Sequence, residues 1–252
     1  MSRWSAEPLR VALAPGEIAL VRGARTQMHE TGARDAPALL PALDELLADA
    51  AWRTGRVEVV LSQHFVRHVL TPPPGKALPP AEERALVAAG LREIYGEPAQ
   101  TWAVRVHSQP PHAGLLGAAI DGAFAHALDA LLTQHGFRRI AIRPLASLAA
   151  RHAPRTVNGW WLLAEPGWLG IFGGADGCWR HVAGFPVGAG WQAALPDLLA
   201  RERGAAPAEL PAAVWLHGLG AGALATPHDP GLRWHVLPHD ARLHGAQAWL
   251  AL

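Results

Sequence analysis

Two stretches of this sequence share a short pattern, and each contains residues that could contact an anion. Each is an apolar run, then Pro-Gly, then a second apolar run that ends in glycine; the turns are Pro15-Gly16 and Pro166-Gly167. Proline followed by glycine favours a tight turn, because proline fixes the first φ and glycine tolerates a positive second φ. The flanking apolar runs predict a β-hairpin at each place. A hairpin repeated in both halves of the chain predicts two related lobes, and it is typical of a fold in which such turns face a nucleotide.

Histidine is the second residue type that could bind a ligand, and the chain has 14 of them. His64 and His68 lie in a strand-like stretch, and His235 and His239 lie around Pro238. Neither pair has a third ligand at a spacing typical of zinc, so we predict no metal site. The signature motifs of α/β-hydrolases, of Rossmann dinucleotide-binding folds and of P-loop enzymes are absent from the sequence.

Aromatic residues are dense at the start of the second half of the chain. Adjacent Trp160 and Trp161 lie on a predicted strand, so their side chains must point to opposite faces. One of them must therefore be covered by a helix, another domain or a partner. The whole set either fills the core of the second lobe or forms a protein-docking face. It consists of Trp160, Trp161, Trp168, Phe172, Trp179, Phe185 and Trp191.

The hydrophobic periodicity predicts the same order of elements in both halves: a meander of strands, a helix, and a buried strand. The strands of the first hairpin are Leu9–Ala14 and Glu17–Arg22. We therefore predict an α/β fold of two lobes, each with a mixed sheet flanked by helices. Lobe one covers residues 1–156 and lobe two covers residues 157–252. An α/β segment at about 64–113 is predicted as an insertion in lobe one.

Composition excludes several classes of protein. The 252 residues carry a net charge of +1, and lysine and arginine form no run along the sequence, so nucleic acid is not an expected partner. The lone Cys178 excludes an internal disulfide and fits a reducing compartment. No signal peptide or uninterrupted apolar span is present, so we expect a soluble cytoplasmic protein.

Three stretches resemble a known superfamily. They are residues 9–23 (LRVALAPGEIALVRG), residues 125–150 (AHALDALLTQHGFRRIAIRPLASLAA) and residues 214–225 (VWLHGLGAGALA). With the duplicated order of elements, they resemble the actin-like ATPase superfamily. More narrowly, the chain resembles the PilM family of type IV pilus assembly proteins and the cytoplasmic domain of the GspL family of type II secretion. The resemblance implies the actin-like, RNase H-like duplicated fold.

The resemblance also implies where a nucleotide site would lie. In the superfamily, an Asp-x-Gly turn in each hairpin organises the metal and admits phosphate. Here Ala14 has no carboxylate, each turn proline lacks an N–H group, and Glu17 would repel a triphosphate. The late glycines either match the adenosine-contacting loop or form an ordinary strand-to-helix turn. The matching residues of this degenerate site are Ala14, Pro15, Gly16, Glu165, Pro166, Gly167, Gly218, Gly220 and Gly222.

The function that the resemblance implies is that of a non-catalytic scaffold in a type IV pilus or type II secretion assembly platform. It would bind a cytoplasmic segment of an inner-membrane partner, and the assembly ATPase is a second candidate partner. The protein would be cytoplasmic, peripheral to the inner membrane through that partner, with no cofactor required and ATP binding left open. The alternatives are a small-molecule kinase of the same superfamily, which would need intact Asp-x-Gly turns, and an actin-like filament protein.

Overall fold

The computed structural model describes residues 7–53, 55–153, 158–206, 210–227, 231–238, 240 and 242–252. The strands are β1 Leu9–Ala14, β2 Glu17–Arg22, β3 Arg25–Glu30, β4 Arg56–Leu61, β5 Arg67–Leu70, β6 Ala103–His107, β7 Leu116–Ile120, β8 Arg139–Pro144, β9 Gly159–Glu165, β10 Trp168–Ala175, β11 Cys178–Pro186, β12 Ala213–Gly218 and β13 Arg233–Val236. The α-helices are α1 Leu40–Leu47, α2 Pro80–Tyr95, α3 Gly122–Gln134, α4 Leu145–Ala149, α5 Leu195–Ala205 and α6 Gly245–Leu250.

Two five-stranded sheets with the same topology form the frame of the described residues. The first sheet has the order β3-β2-β1-β4-β8, and the second has the order β11-β10-β9-β12-β13. In the first sheet, β1 pairs antiparallel with β2 and parallel with β4. In the second, β9 pairs antiparallel with β10 and parallel with β12. The predicted α/β fold with two related mixed sheets is therefore confirmed.

The two predicted Pro-Gly turns join corresponding strands. The first connects β1 to β2, and the second connects β9 to β10. Gly16 has φ +80° and Gly167 has φ +77°, a region that residues with a Cβ rarely adopt. The glycine of each Pro-Gly pair is therefore favoured by the geometry of the hairpin itself.

The structure adds one strand that the periodicity did not predict. β3 has the sequence RTQMHE, without the apolar alternation of a half-buried strand, because it lies at the edge of the first sheet. A separate small sheet has the order β5-β7-β6 and takes its strands from residues 67–120, beyond the predicted end of the insertion at 113. The predicted boundary between the lobes, at 156 and 157, lies outside the described residues.

Helices cover both faces of the large sheets. Leucines of α1 and α3 pack on the first sheet, and Leu195 and Leu199 of α5 pack on the second. A further core lies between the lobes and includes α4, α6 and the small residues Ala12, Ala14 and Ala19 of the first hairpin. Small side chains on this face leave room for α6, the last helix of the chain, to pack against the first lobe.

The adjacent tryptophans Trp160 and Trp161 point to opposite faces of β9, as predicted. Trp160 packs with α5 in the core of the second lobe, and Trp161 packs in the core between the lobes. Each is 1% exposed, so the protein's own helices and lobes provide the cover that the sequence required.

Candidate functional site

Ser62, the residue directly after strand β4, contacts the ends of both β1 and β9, the first strands of the two hairpins. The backbone N–H of Ser62 donates to the carbonyl of Leu13 at 3.0 Å, at the end of β1. Its hydroxyl donates to Oε2 of Glu165 at 2.9 Å, at the end of β9. The ends of β1 and β9 therefore meet at Ser62, on the two sides of the cleft between the lobes.

Glu165 is the carboxylate of the second hairpin, and it is 2% exposed. Its Oε1 accepts a hydrogen bond from the backbone N–H of Gln63 at 2.7 Å, in addition to the bond from Ser62. Burial raises the pKa of Glu165 to about 8, because it disfavours the charged form; the hydrogen bonds from Ser62 and Gln63 oppose this shift. The carboxyl group thus joins the two lobes as a neutral or weakly ionised group near pH 7.

The segment Ser62–His64 fills the space against the second hairpin. The Gln63 side chain is buried, donates to the carbonyl of Leu163 at 3.3 Å, and lies against the backbone of Gly170. A Cβ at Gly170 would come within 2.4 Å of the Gln63 amide oxygen, so a larger residue there would displace the Gln63 side chain. His64 shares a hydrogen bond between Nε2 and the carbonyl of Pro166 at 3.0 Å. The first lobe therefore fits into the second beside the predicted phosphate turn.

The polar groups of the first hairpin turn are also used within the protein. Ala14 is 6% exposed and packs in the interlobe core. The N–H of Gly16 donates to the carbonyl of Ala33 at 2.7 Å. Glu17 accepts a hydrogen bond from the N–H of Ala246, in α6, at 2.9 Å. The carboxylate that would repel a triphosphate therefore connects the first hairpin to the last helix.

The late glycine loop packs against the same helix. A Cβ on Gly220, which has φ +76°, would lie 2.5 Å from the backbone of Gly245 at the start of α6. A Cβ on Gly218 would lie 2.6 Å from the side chain of Leu224, whereas a Cβ on Gly222, which has φ +78°, would face open space. The indole N–H of Trp249 in α6 donates to the carbonyl of Leu219 at 3.2 Å. Two of the three predicted glycines thus serve close packing.

The histidines of the sequence pattern do not form a metal site in the described part of the chain. No group of three or more His, Cys, Asp and Glu residues is placed to hold a metal ion there. His64 bonds to Pro166, and the ring of His68 meets Phe172 edge-on at 5.6 Å. Burial lowers the pKa of His68 to about 4, with a smaller effect from Arg67. His239 lies outside the described residues.

Sequence reasoning missed Ser62 and Gln63, the residues that join the lobes. A buried strand after the first helix was predicted, and the polar pair Ser62-Gln63 directly after β4 is the signal that was present. The end of a parallel strand in an open α/β sheet is a common place for functional groups. What the sequence could not indicate is that these groups bind Glu165 about a hundred residues later.

A groove lies beside the joined hairpins, between the first sheet and the small sheet. Its cavity has a volume of about 580 Å³ and is lined by residues 105–107 of β6 and 140–144 of β8. Trp161, Phe172 and Trp179 line it from the second lobe, with ring centroids 5.0 to 6.0 Å apart. A smaller cavity of about 100 Å³ shares Arg105, Ala118 and Ile142 with it and extends the groove along the two strands.

The strands on the two sides of this groove are edge strands. β8 is the last strand of the first sheet, and β6 is the last strand of the small sheet. Within the described residues, no strand pairs with the outer edge of either one. Their backbone N–H and C=O groups on that side can therefore accept an added strand.

Comparison with solved structures identifies the architecture as the actin-like fold, as the sequence resemblance implied. The cytoplasmic domain of EpsL, an inner-membrane component of the type II secretion system of Vibrio cholerae, matches 93% of this chain and 90% of its own, with a TM-score of 0.59 and 15% identity.

Two further structures have the same fold. A chain of the PilM–PilN type IV pilus biogenesis complex matches 85% of this chain and 82% of its own, with a TM-score of 0.53 and 14% identity. A protein of unknown function with an actin-like ATPase fold, from Bacteroides thetaiotaomicron, matches 89% and 86%, with a TM-score of 0.55 and 10% identity. No protein-family model matches the chain, and no curated protein matches its sequence.

Proposed function

We propose that this protein is a non-catalytic actin-like scaffold that binds a short cytoplasmic segment of an inner-membrane protein in a pilus or secretion assembly platform. The observation that carries the proposal is the groove between the edge strands β6 and β8. Adding a strand to a sheet edge is a common way to bind an extended peptide, because main-chain hydrogen bonds fix its register.

The second part of the proposal is that the cleft between the lobes does not hydrolyse ATP. A hydrolytic site would need a carboxylate at position 14, where Ala14 packs in the core. The N–H of Gly16 already donates to the carbonyl of Ala33, and the buried carboxyl group of Glu165 accepts hydrogen bonds from Ser62 and Gln63 of the other lobe. These residues do not fit a metal–triphosphate group, so we assign no catalytic residue and no cofactor.

The lining of the groove indicates which segments it would accept. Leu116, Ala118, Ile140 and Ile142 provide apolar walls, and the aromatic rings of the second lobe close one side. The ionisable side chains in the lining are those of His68, Arg105, His107 and Arg143, without a carboxylate among them. Arg143 is already paired with Glu58 at 2.7 Å, and the pKa of His68 is about 4, so Arg105 is the cation left to attract a carboxylate. An extended segment with apolar anchors and a carboxylate would therefore fit better than a basic one.

The class of partner is inferred from the proteins that share the fold. One of them is an inner-membrane component of a type II secretion system, and another comes from a type IV pilus biogenesis complex. No helix in the described part of this chain is long and apolar enough to cross a membrane. The proposed location is the cytoplasmic side of the inner membrane, with the assembly ATPase of such a system as a second candidate partner.

Calorimetry with synthetic cytoplasmic segments of the small inner-membrane proteins encoded next to this gene tests the proposal. We expect one segment to bind with a dissociation constant of about 1 μM, because ordering an unstructured peptide reduces the affinity. Ala118→Phe, which fills the wall shared by both cavities, should weaken binding about tenfold or more.

Two further variants make this test decisive. Ala103→Phe lies at an exposed position in the smaller cavity, so it should weaken binding without disturbing a core. Ala85→Phe, at an exposed position on α2, is the matched control and should bind like the original protein. Equal affinities of all three variants would reject the groove as the binding site. Tight ATP binding with no segment bound would reject the scaffold in favour of the kinase-like alternative.

A further inference from the structure

Arginines that are scattered in the sequence gather at one end of the first sheet. Strands β1, β4 and β8 are parallel and begin at this end, and the turn between β2 and β3 lies there too. The strand register sets Arg56 beside Arg139, and the hairpin register sets Arg22 opposite Arg25. The absence of a basic run along the sequence therefore did not mean the absence of a basic surface.

Backbone contacts bring further arginines to the same place. The carbonyl of Gly55 accepts hydrogen bonds from the N–H groups of Arg138 and Arg139, at 3.1 and 3.0 Å. The Arg22 guanidinium donates to the carbonyl of Arg53 at 2.9 Å. We call this group the arginine end; it consists of Arg22, Arg25, Arg53, Arg56, Arg138 and Arg139, and all but the half-buried Arg22 are exposed.

The arginines outnumber the carboxylates near them. Asp49 pairs with Arg25 at 2.7 Å, Glu7 lies beside Gly23 in the turn, and Asp129 lines a shallow pocket with Arg138. This end is therefore locally positive, although the whole chain has a net charge of only +1. A local field of one sign attracts a ligand of the opposite sign.

We propose that the arginine end binds the anionic surface of a phospholipid membrane. The guanidinium group suits phosphate, because its planar fork can donate two parallel hydrogen bonds to phosphate oxygens. Nucleic acid is a weaker candidate, since binding of single strands also uses exposed aromatic rings for stacking. The aromatic residues next to these arginines, Trp52 and Phe137, are both buried, and Arg25 lies over the ring of Trp52 at 4.3 Å.

The position of the arginine end agrees with the groove. The six residues of β8 run from Arg139 at this end to Pro144 near the joined hairpins, a length of about 20 Å. A protein held by its arginine end would present the start of the groove to a segment that leaves the bilayer. The choice of a membrane over another polyanion rests on the proposed function, whereas the clustering of the arginines does not.

Vesicle co-sedimentation of the full chain tests this inference. The probes are vesicles of phosphatidylcholine alone and vesicles with about one-third phosphatidylglycerol. We expect binding to the anionic vesicles alone, with loss of binding at about 0.5 M salt. Arg138→Gln with Arg139→Gln should weaken the partition about twentyfold, and Arg53→Gln with Arg56→Gln should have a similar effect.

The control has the same change in net charge at another place. Arg84→Gln with Arg92→Gln, at exposed positions of α2, should change the partition by about twofold at most. Equal binding to neutral vesicles, equal loss in the control, or tighter binding to single-stranded DNA through the same arginines would overturn the proposal. Segment binding, measured by calorimetry without lipid, should be unchanged in the arginine variants, so failure of one proposal is distinguishable from failure of the other.

Discussion

Replacing Glu165 by glutamine should make the protein more stable than the original at pH 8 by roughly 4 kcal/mol, and at pH 5 by no more than about 1 kcal/mol. The pKa of this buried carboxyl group is about 8 in the folded protein and near 4.5 in the unfolded chain. Between these values the folded state binds a proton that the unfolded state has lost. The free energy of unfolding therefore falls as the pH rises from about 4.5 to about 8. Glutamine is neutral at every pH in this range, so the free energy of unfolding of the variant should not fall in this way.

Urea unfolding at pH 5, 6.5 and 8 measures the effect. Glu165→Ala is the comparison: it leaves the donors of Ser62 and Gln63 without their acceptor, and it should cost about 3 kcal/mol at pH 5. Curves of stability against pH that run parallel for the original protein and Glu165→Gln would contradict a buried, largely neutral carboxyl group between the lobes.

His68 should make the protein less stable at low pH, the opposite direction to the effect of Glu165. Its pKa is lowered from 6.5 to about 4, so its contribution is complete above pH 6.5 and is lost as the pH falls through 4. The two changes offset each other where their ranges overlap, so the stability of the original protein should be greatest on a plateau between about pH 4.5 and 6.5. In Glu165→Gln the loss at low pH should remain while the loss toward pH 8 disappears.

Gly220→Ala should destabilise the protein by about 3 kcal/mol or more, whereas Gly222→Ala should cost only about 1 kcal/mol. Both glycines have positive φ values, so both substitutions carry backbone strain. At Gly220 the new Cβ would also meet the backbone of Gly245 at 2.5 Å and push α6 away from the first lobe. At Gly222 the space is open.

Thermal and urea unfolding of these two glycine variants provide the measurement. The pair separates a packing role of the late glycine loop from a role in contacting a ligand, because the two positions share φ and differ in space. Equal losses of stability in both variants would mean that the close packing of the loop against α6 does not contribute to the stability of the protein.

The fold could be predicted to a large extent because its signals are local. A Pro-Gly turn between apolar runs specifies a hairpin without any distant contact, and the pattern occurs once in each lobe. Adjacent Trp160 and Trp161 predicted that both faces of their strand are covered, and both side chains are buried in the structure. β3 was missed because an edge strand needs no apolar alternation, and its sequence RTQMHE has none.

The candidate site could be predicted only in part, because its contacts join distant parts of the chain. The prediction of a degenerate nucleotide site rests on Ala14 and the turn prolines, which are local features of the sequence. Nothing local indicates that Glu17 bonds to Ala246. The groove and the arginine end depend on strand order and register, which place β8 at an edge and Arg56 beside Arg139. Such juxtapositions follow from the tertiary fold and not from local propensity.

Amide hydrogen exchange can test both parts of the proposed function at once, because one experiment reports on the groove and on the cleft. With the bound segment present, we expect slower exchange along residues 103–107 and 140–143, the groove-lining edges of β6 and β8. With ATP and magnesium in place of the segment, we expect no change at residues 14–17, 165–167 and 218–222. Two results together would contradict the proposed function. They are protection of those three turns by ATP, and unchanged amide exchange along β6 and β8 when the segment is added.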